Sequence, residues 1–209
     1  RCPVCGEWNT YVEEVVSTKS AAGGRGEFGT IEQSKVRPQR IDDIQITEES
    51  RIDLGNDELN RVLGGGLVRG SLVLIGGEPG IGKSTLILQT VLALKGQKVL
   101  YVSGEESARQ LKLRAERIGG NAPDCYIVCE TSLEDIFAHI RNVAPDIVVI
   151  DSIQTIATGA MESSPGSVGQ VRECAASLLK FAKQTNTPVL LVGHINKEGS
   201  IAGPKVLEH

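Results

Sequence analysis

Residues 71–85 read "SLVLIGGEPGIGKST", an aliphatic run that meets a glycine-rich turn and then Lys-Ser-Thr. The run at 71–76 has the length and content of a buried strand, and the residues from Lys83 through "STLILQTVLAL" continue as a helix. Between them, Gly77 to Ser84 fits G-x-x-x-x-G-K-[ST] in the context its mechanism requires, strand before and helix after. Gly77, Gly80 and Gly82 permit a backbone path that side chains would block, so loop N–H groups can converge on phosphate oxygens. The helix N-terminus adds its partial positive charge. The candidate nucleotide-binding residues are therefore Gly77, Glu78, Pro79, Gly80, Ile81, Gly82, Lys83, Ser84 and Thr85. Lys83 is expected to reach the β- and γ-phosphates, Ser84 to ligate Mg²⁺ through its hydroxyl, and Thr85 to lie near the α-phosphate.

The same texture continues outward. Residues 98–103, 125–129, 146–151 and 188–194 are short aliphatic runs, alternating with helical patterns. Ser107 can cap the helix whose apolar face is Ala108, Leu111, Ala115 and Ile118. Val171, Cys174, Ala175, Leu178, Leu179 and Ala182 form one stripe of a longer helix. Such alternation predicts an α/β fold with a mostly parallel sheet covered by helices on both faces. No internal repeat is present.

Three further positions suit phosphate chemistry. Asp151 ends the run "IVVID", where parallel-sheet proteins bind ligands, and its carboxylate can hold magnesium. An acid at a strand end also serves as a helix cap or surface charge. Glu105 and Glu106 follow the second strand, and adjacent carboxylates near a triphosphate repel each other, which favours a general base. They equally suit the first turn of a helix. Glu105 is the stronger choice for the base, with Glu106 in support. His194 ends the fifth strand, where it can sense a γ-phosphate or simply make a structural hydrogen bond.

Composition bounds the function classes. The 209 residues carry a net charge of −4 with 3% aromatics and 24 glycines. No global basic field marks nucleic-acid binding, although a local positive surface suffices for it. No apolar run is long enough to span a membrane, and nothing resembles a signal peptide. Cys2, Cys5, Cys125, Cys129 and Cys174 form no disulfide framework for this length, which points to a reducing cytoplasm. Cys125 and Cys129 share a strand face with Ile127 and read as small buried hydrophobes. The chain starts without Met and is expected to be a fragment.

Residues 1–14 contain "RCPVC", a single C-x-x-C that suits zinc or redox chemistry. Residues 15–50 read as a linker, and Lys19 to Arg40 holds five basic against two acidic residues, a locally positive stretch. From about residue 42 the strand–helix alternation is regular.

Together "GGGLVRGSLVLIGGEPGIGKST", "YVSGEES", "DSIQT", "SPGSVGQVREC" and "GHINKEGSIAGPKVLEH" resemble the RadA (Sms) family of bacterial DNA-repair proteins. The opening "RCPVCGEWNTYVEE" is similar to the second half of that family's four-cysteine zinc finger. The resemblance implies a RecA-like P-loop ATPase domain over 51–209 that hydrolyses ATP with Mg²⁺. It implies a homo-oligomeric, hexameric ring on single-stranded DNA and recombination intermediates, with branch migration and helicase-like motion, and a recombinase as a further partner. It casts Gly77–Ser84 as the Walker A loop, Asp151 as the Walker B acid, Glu105 as the catalytic glutamate and His194 as the γ-phosphate switch. Cys2 and Cys5 become zinc ligands of a half site, expected to hold Zn²⁺ poorly in this chain. Segments 158–168 and 196–206 correspond to DNA-channel loops, which makes Arg172, Lys197 and Lys205 candidate phosphate contacts, against the plain reading of surface charge. The chain lacks the first C-x-x-C, a K-N-R-F-G motif and a Lon-protease-like domain. Slow hydrolysis is expected of it alone. A different class, a nucleotide-switched scaffold resembling KaiC-type folds, suits the same phosphate loop and glutamates.

Overall fold

A computed structural model describes residues 40–43, 51–119 and 124–194. The chain divides into two compact units, Arg1–Gln45 and Ile46–His209. In the first, the described part is a short 3-10 turn at Ile41–Asp43.

In the second unit, five described strands form one sheet: β1 (Leu72–Gly77), β2 (Val99–Ser103), β3 (Cys125–Cys129), β4 (Ile147–Asp151) and β5 (Val189–His194). Their order is β1-β5-β4-β2-β3 and every pairing is parallel, as the aliphatic runs predict. Parallel neighbours need a crossover, and helices supply it: α2 (Lys83–Ala93), α3 (Ala108–Ile118), α4 (Leu133–Val143) and α5 (Val168–Thr185). A short α1 (Asp57–Val62), capped by Asn56, precedes the sheet.

The strands explain why helices must cover both faces. Leu100, Val102, Val148, Ile150, Val189 and Leu191 enter one core with α4 and α5. Their chain neighbours Val99, Tyr101, Ile147, Val149, Leu190 and Val192 enter the other, with α2, α3, Leu54 and Leu67. Period-2 alternation thus divides aliphatic residues between two cores instead of between core and water. The edge strand β3 is less covered. Cys129 is exposed there and Cys125 half-buried, which corrects the expectation that both are buried. Likewise Ala108 and Leu179 lie at the exposed margins of their helices.

Helix starts are set by local chemistry. Ser107, Ser132 and Ser167 each accept a hydrogen bond from the N–H three residues on, and Ser107 with Gln110 completes a capping box. Each such cap stabilises by about 1 kcal/mol. The helix α2 differs: its N-cap is Gly82 in the left-handed region, with no side-chain cap. The donors of its first turn are thereby left for something else.

Among the described residues no helix is long and apolar enough to cross a membrane.

Candidate functional site: a phosphate loop joined to the ends of three strands

The loop after β1 turns at Gly80 (φ 81°) and Gly82 (φ 100°), values that an L side chain rarely adopts. Gly77 is buried, whereas Glu78, Pro79, Gly80, Ile81 and Gly82 are exposed. Lys83 is buried at 7% exposure, and its Nζ donates to the Gly77 carbonyl at 2.8 Å and the Glu78 carbonyl at 2.9 Å. The same ammonium stands 3.2 Å from Nδ1 of His194. Strand order makes this possible: β5 lies directly beside β1, and Gly77 pairs in register with His194. Thr85, two residues after Lys83 in the same first turn, is exposed.

Next to Lys83, the Ser84 hydroxyl donates to Oδ1 of Asp151 at 3.0 Å. The other oxygen, Oδ2, accepts from the hydroxyl of Tyr101 at 2.5 Å. Asp151 is nearly buried and Tyr101 wholly so. Burial, followed by the neighbouring Asp151 charge, drives the Tyr101 phenol far above its ordinary value, so the hydroxyl remains a donor. Tyr101 is absent from the sequence-derived site. In an aliphatic strand an aromatic reads as core, and its partner lies 50 residues away in sequence.

Glu105 and His194 also meet. His194 Nε2 lies 3.3 Å from Oε1 of Glu105, and Ser152 Oγ donates to the same oxygen at 2.8 Å. Glu106 takes a different course. Its Oε1 pairs with Arg114 of α3 at 2.7 Å, and its backbone N–H donates to Ser103 Oγ at 3.0 Å. The two carboxylates diverge, and neither lies in a first helical turn, because α3 begins after the Ser107 cap. Sequence reasoning also missed Ser152, Arg114 and Gln154, whose Nε2 donates to the His194 carbonyl at 3.2 Å.

Segment 158–168 is held from beneath. Gln170, 1% exposed, accepts from Thr158 N–H and donates to the carbonyls of Thr158, Met161 and Ser163. Arg172 is exposed on α5. Cys2, Cys5, Lys197, Lys205 and segment 196–206 lie outside the described residues.

The donor chemistry fits a magnesium nucleotide. A hydroxyl and a carboxylate, both hard oxygen donors, converge at Ser84 and Asp151, as Mg²⁺ prefers. An uncapped helix start, left-handed glycines and a buried ammonium suit phosphate. Among the described residues no group of three or more His, Cys, Asp or Glu side chains could hold a metal ion; Cys2 and Cys5, the expected zinc ligands, are not among them.

A parallel sheet flanked by helices, with this loop at the end of β1 and an acid at the end of β4, defines a P-loop nucleotide-binding protein of the RecA-like α/β class. A family model described as an AAA domain matches residues 35–200, and the chain belongs to that family. The similarity to RadA proteins extends over the whole chain. It is 52% identical over 211 residues to the DNA repair protein RadA of Bacillus subtilis (strain 168), covering 100% of this chain and 46% of that protein. It is 50% identical over 211 residues to the RadA of Listeria monocytogenes, covering 100% of this chain and 45% of that protein. It is 49% identical over 210 residues to that of Pseudomonas aeruginosa, again 100% and 46%. The chain thus spans slightly less than half the length of these curated relatives.

Proposed function

We propose that this chain is the ATP-binding and ATP-hydrolysing core of a DNA-repair ATPase. The observation that carries the reading is the line of polar contacts from Lys83 through His194 to Glu105, beside the Ser84–Asp151 pair. Lys83 and the loop N–H groups bind the β- and γ-phosphates. Ser84 and Asp151 hold Mg²⁺, which when bound neutralises charge on the transferring phosphoryl group. Tyr101 fixes the orientation of Asp151. Glu105 orients and deprotonates water, and His194 links its state to that of Lys83.

The finer reading rests on the resemblance to RadA proteins. It is a RecA-like, helicase-like motor assembled as a hexameric ring, stimulated by single-stranded DNA and acting in branch migration of recombination intermediates, with a recombinase as partner. Residues 51–209 are its ATPase domain, 15–50 a linker, and 1–14 half of a zinc finger with Cys2 and Cys5 as Zn²⁺ ligands. Arg172, Lys197 and Lys205 contact DNA phosphates. Its compartment is the cytoplasm.

The test is ATP turnover of the chain extended to the length of its curated relatives, with and without single-stranded DNA. DNA is expected to raise turnover and Lys83→Ala to abolish it. Equal turnover with and without DNA overturns the motor reading. Lys197→Ala and Lys205→Ala are expected to flatten the salt dependence of DNA binding, and an unchanged slope returns both to ordinary surface.

A further inference from the structure

Glu105 is half exposed, and a glutamate in that setting has three side-chain torsions to fix before one oxygen can face a water molecule. Two donors restrain it. Ser152 Oγ donates to Oε1 at 2.8 Å, and Ser152 is fully buried, so this hydroxyl has no competing solvent. His194 Nε2 approaches the same Oε1 at 3.3 Å. The ring's proton can be placed from its other side. An ammonium has donors and no acceptor, so Lys83 at 3.2 Å requires a lone pair on Nδ1. The proton of a neutral His194 then sits on Nε2, facing Glu105. Both donors meet on Oε1, and among the described residues none reaches Oε2.

The position of Ser152 is set by the turn Ile153–Thr155 that follows β4. Thr155 Oγ1 donates to the Ser152 carbonyl at 2.7 Å, and Gly104 N–H donates to the Asp151 carbonyl at 2.9 Å. A Cβ on Gly104 would collide with Oγ1 and Cβ of Thr155. Glycine at 104 therefore lets the turn close on the end of β2, which brings Ser152 within reach of Glu105.

We propose that Ser152 is a positioning residue for Glu105: with His194 it anchors Oε1 and leaves Oε2 as the oxygen that receives the proton of the attacking water. In that step a water O–H bond breaks and its proton goes to Oε2. The water oxygen bonds to the γ-phosphorus, and the bridging P–O bond breaks with its electron pair staying on the diphosphate. Anchoring one oxygen supplies the orientation on which general-base catalysis depends. The proposal rests on the reading of Glu105 as the base.

The experiment measures DNA-stimulated ATP hydrolysis and affinity for a fluorescent ATP analogue, using the chain extended to the length of its curated relatives. The variants are Ser152→Ala, Ser152→Thr, Glu105→Gln and the double variant Ser152→Ala/Glu105→Gln. Ser152→Ala is expected to lower kcat about 10- to 100-fold while KM and analogue affinity change less than about twofold. Ser152→Thr, which retains the hydroxyl, is expected to recover most of the rate. In the Glu105→Gln background Ser152→Ala is expected to add less than about twofold, because the two act as one unit. If Ser152→Thr does not fold, this cycle decides alone. A Ser152→Ala enzyme with unchanged kcat, or one that loses as much rate without Glu105 as with it, overturns the proposal and leaves the base reading standing. Glu105→Gln hydrolysing at the unsubstituted rate overturns the base reading, and the proposal with it.

Discussion

The Tyr101 hydroxyl and the Asp151 carboxylate are joined by a 2.5 Å hydrogen bond inside the sheet, one strand apart and two residues out of register. Tyr101 pairs with Val149 in β4, so the phenol reaches diagonally along the sheet toward the ligand end. A hydrogen bond to an ionised acceptor contributes about 1.5–3 kcal/mol. Tyr101→Phe is expected to lower the unfolding free energy by that amount, measured by urea denaturation. It is also expected to raise the Mg²⁺ concentration needed for half-maximal nucleotide binding, since Asp151 loses one of its two orienting donors. A variant as stable as the parent, with the same Mg²⁺ requirement, would show that this bond does neither.

Gly104 has no room for a side chain beside Thr155. Gly104→Ala is expected to destabilise the fold by about 1–3 kcal/mol through overpacking. Gly159 supplies the control, because a Cβ there meets nothing within 4 Å. Gly159→Ala should shift stability by less than about 0.5 kcal/mol. Equal effects at both positions would contradict the close approach of the turn to β2.

Gln170 satisfies one N–H and three carbonyls in segment 158–163 with a single buried amide. Gln170→Ala leaves those backbone groups without that partner. We expect a loss of about 1–3 kcal/mol and faster amide hydrogen exchange at Thr158 than at β4. Unchanged protection at Thr158 would mean the segment holds its shape without the glutamine.

Glu134, in the first turn of α4, accepts from Thr158 Oγ1 and from Gly159 N–H at 3.2 Å. Partial burial pushes its carboxyl up, but the hydrogen bonds from Thr158, Gly159 and its own helix together pull it below the ordinary glutamate value of 4.5. A folded-state value lower than the unfolded one gives stability that is present above the unfolded value and is lost as pH falls through the folded one. Denaturation midpoints are therefore expected to fall more steeply between about pH 5 and pH 3 in the parent than in Glu134→Gln. Parallel pH profiles would remove Glu134 from the group of residues holding this segment.

The parallel sheet was legible because nearly every strand is an aliphatic run between helical patterns, and the phosphate loop because its glycines and Lys-Ser lie contiguous in sequence. Asp151 and His194 were legible as polar residues that end apolar runs and Glu105 as an acid just after one, and the structure brings Glu105 and His194 together. Less legible was anything decided by which strand lies beside which. Glu105 and Glu106 are chain neighbours, yet one turns to Ser152 and His194 and the other to Arg114 on the following helix. Cys129 fits a buried pattern but belongs to an edge strand, and edge position follows from strand order, which periodicity does not carry. Ser152 and Gln154 look like ordinary turn residues until the ends of β2 and β5 are folded against them.

Strands β2 and β4 are buried along their entire length, on both faces. Such strands are poorly indexed by hydrophobicity, because sliding one of them by a single residue exchanges one aliphatic side chain for another in each core. Their polar ends behave differently. A slip of β4 would turn Asp151 away from Ser84 and Tyr101 and would displace the carbonyl that meets Gly104. The residues of the phosphate site thus act as a vernier for the sheet, marking the one alignment in which the middle of the molecule is in step. Substitutions made there to probe chemistry will also report on how faithfully the chain finds its register during folding.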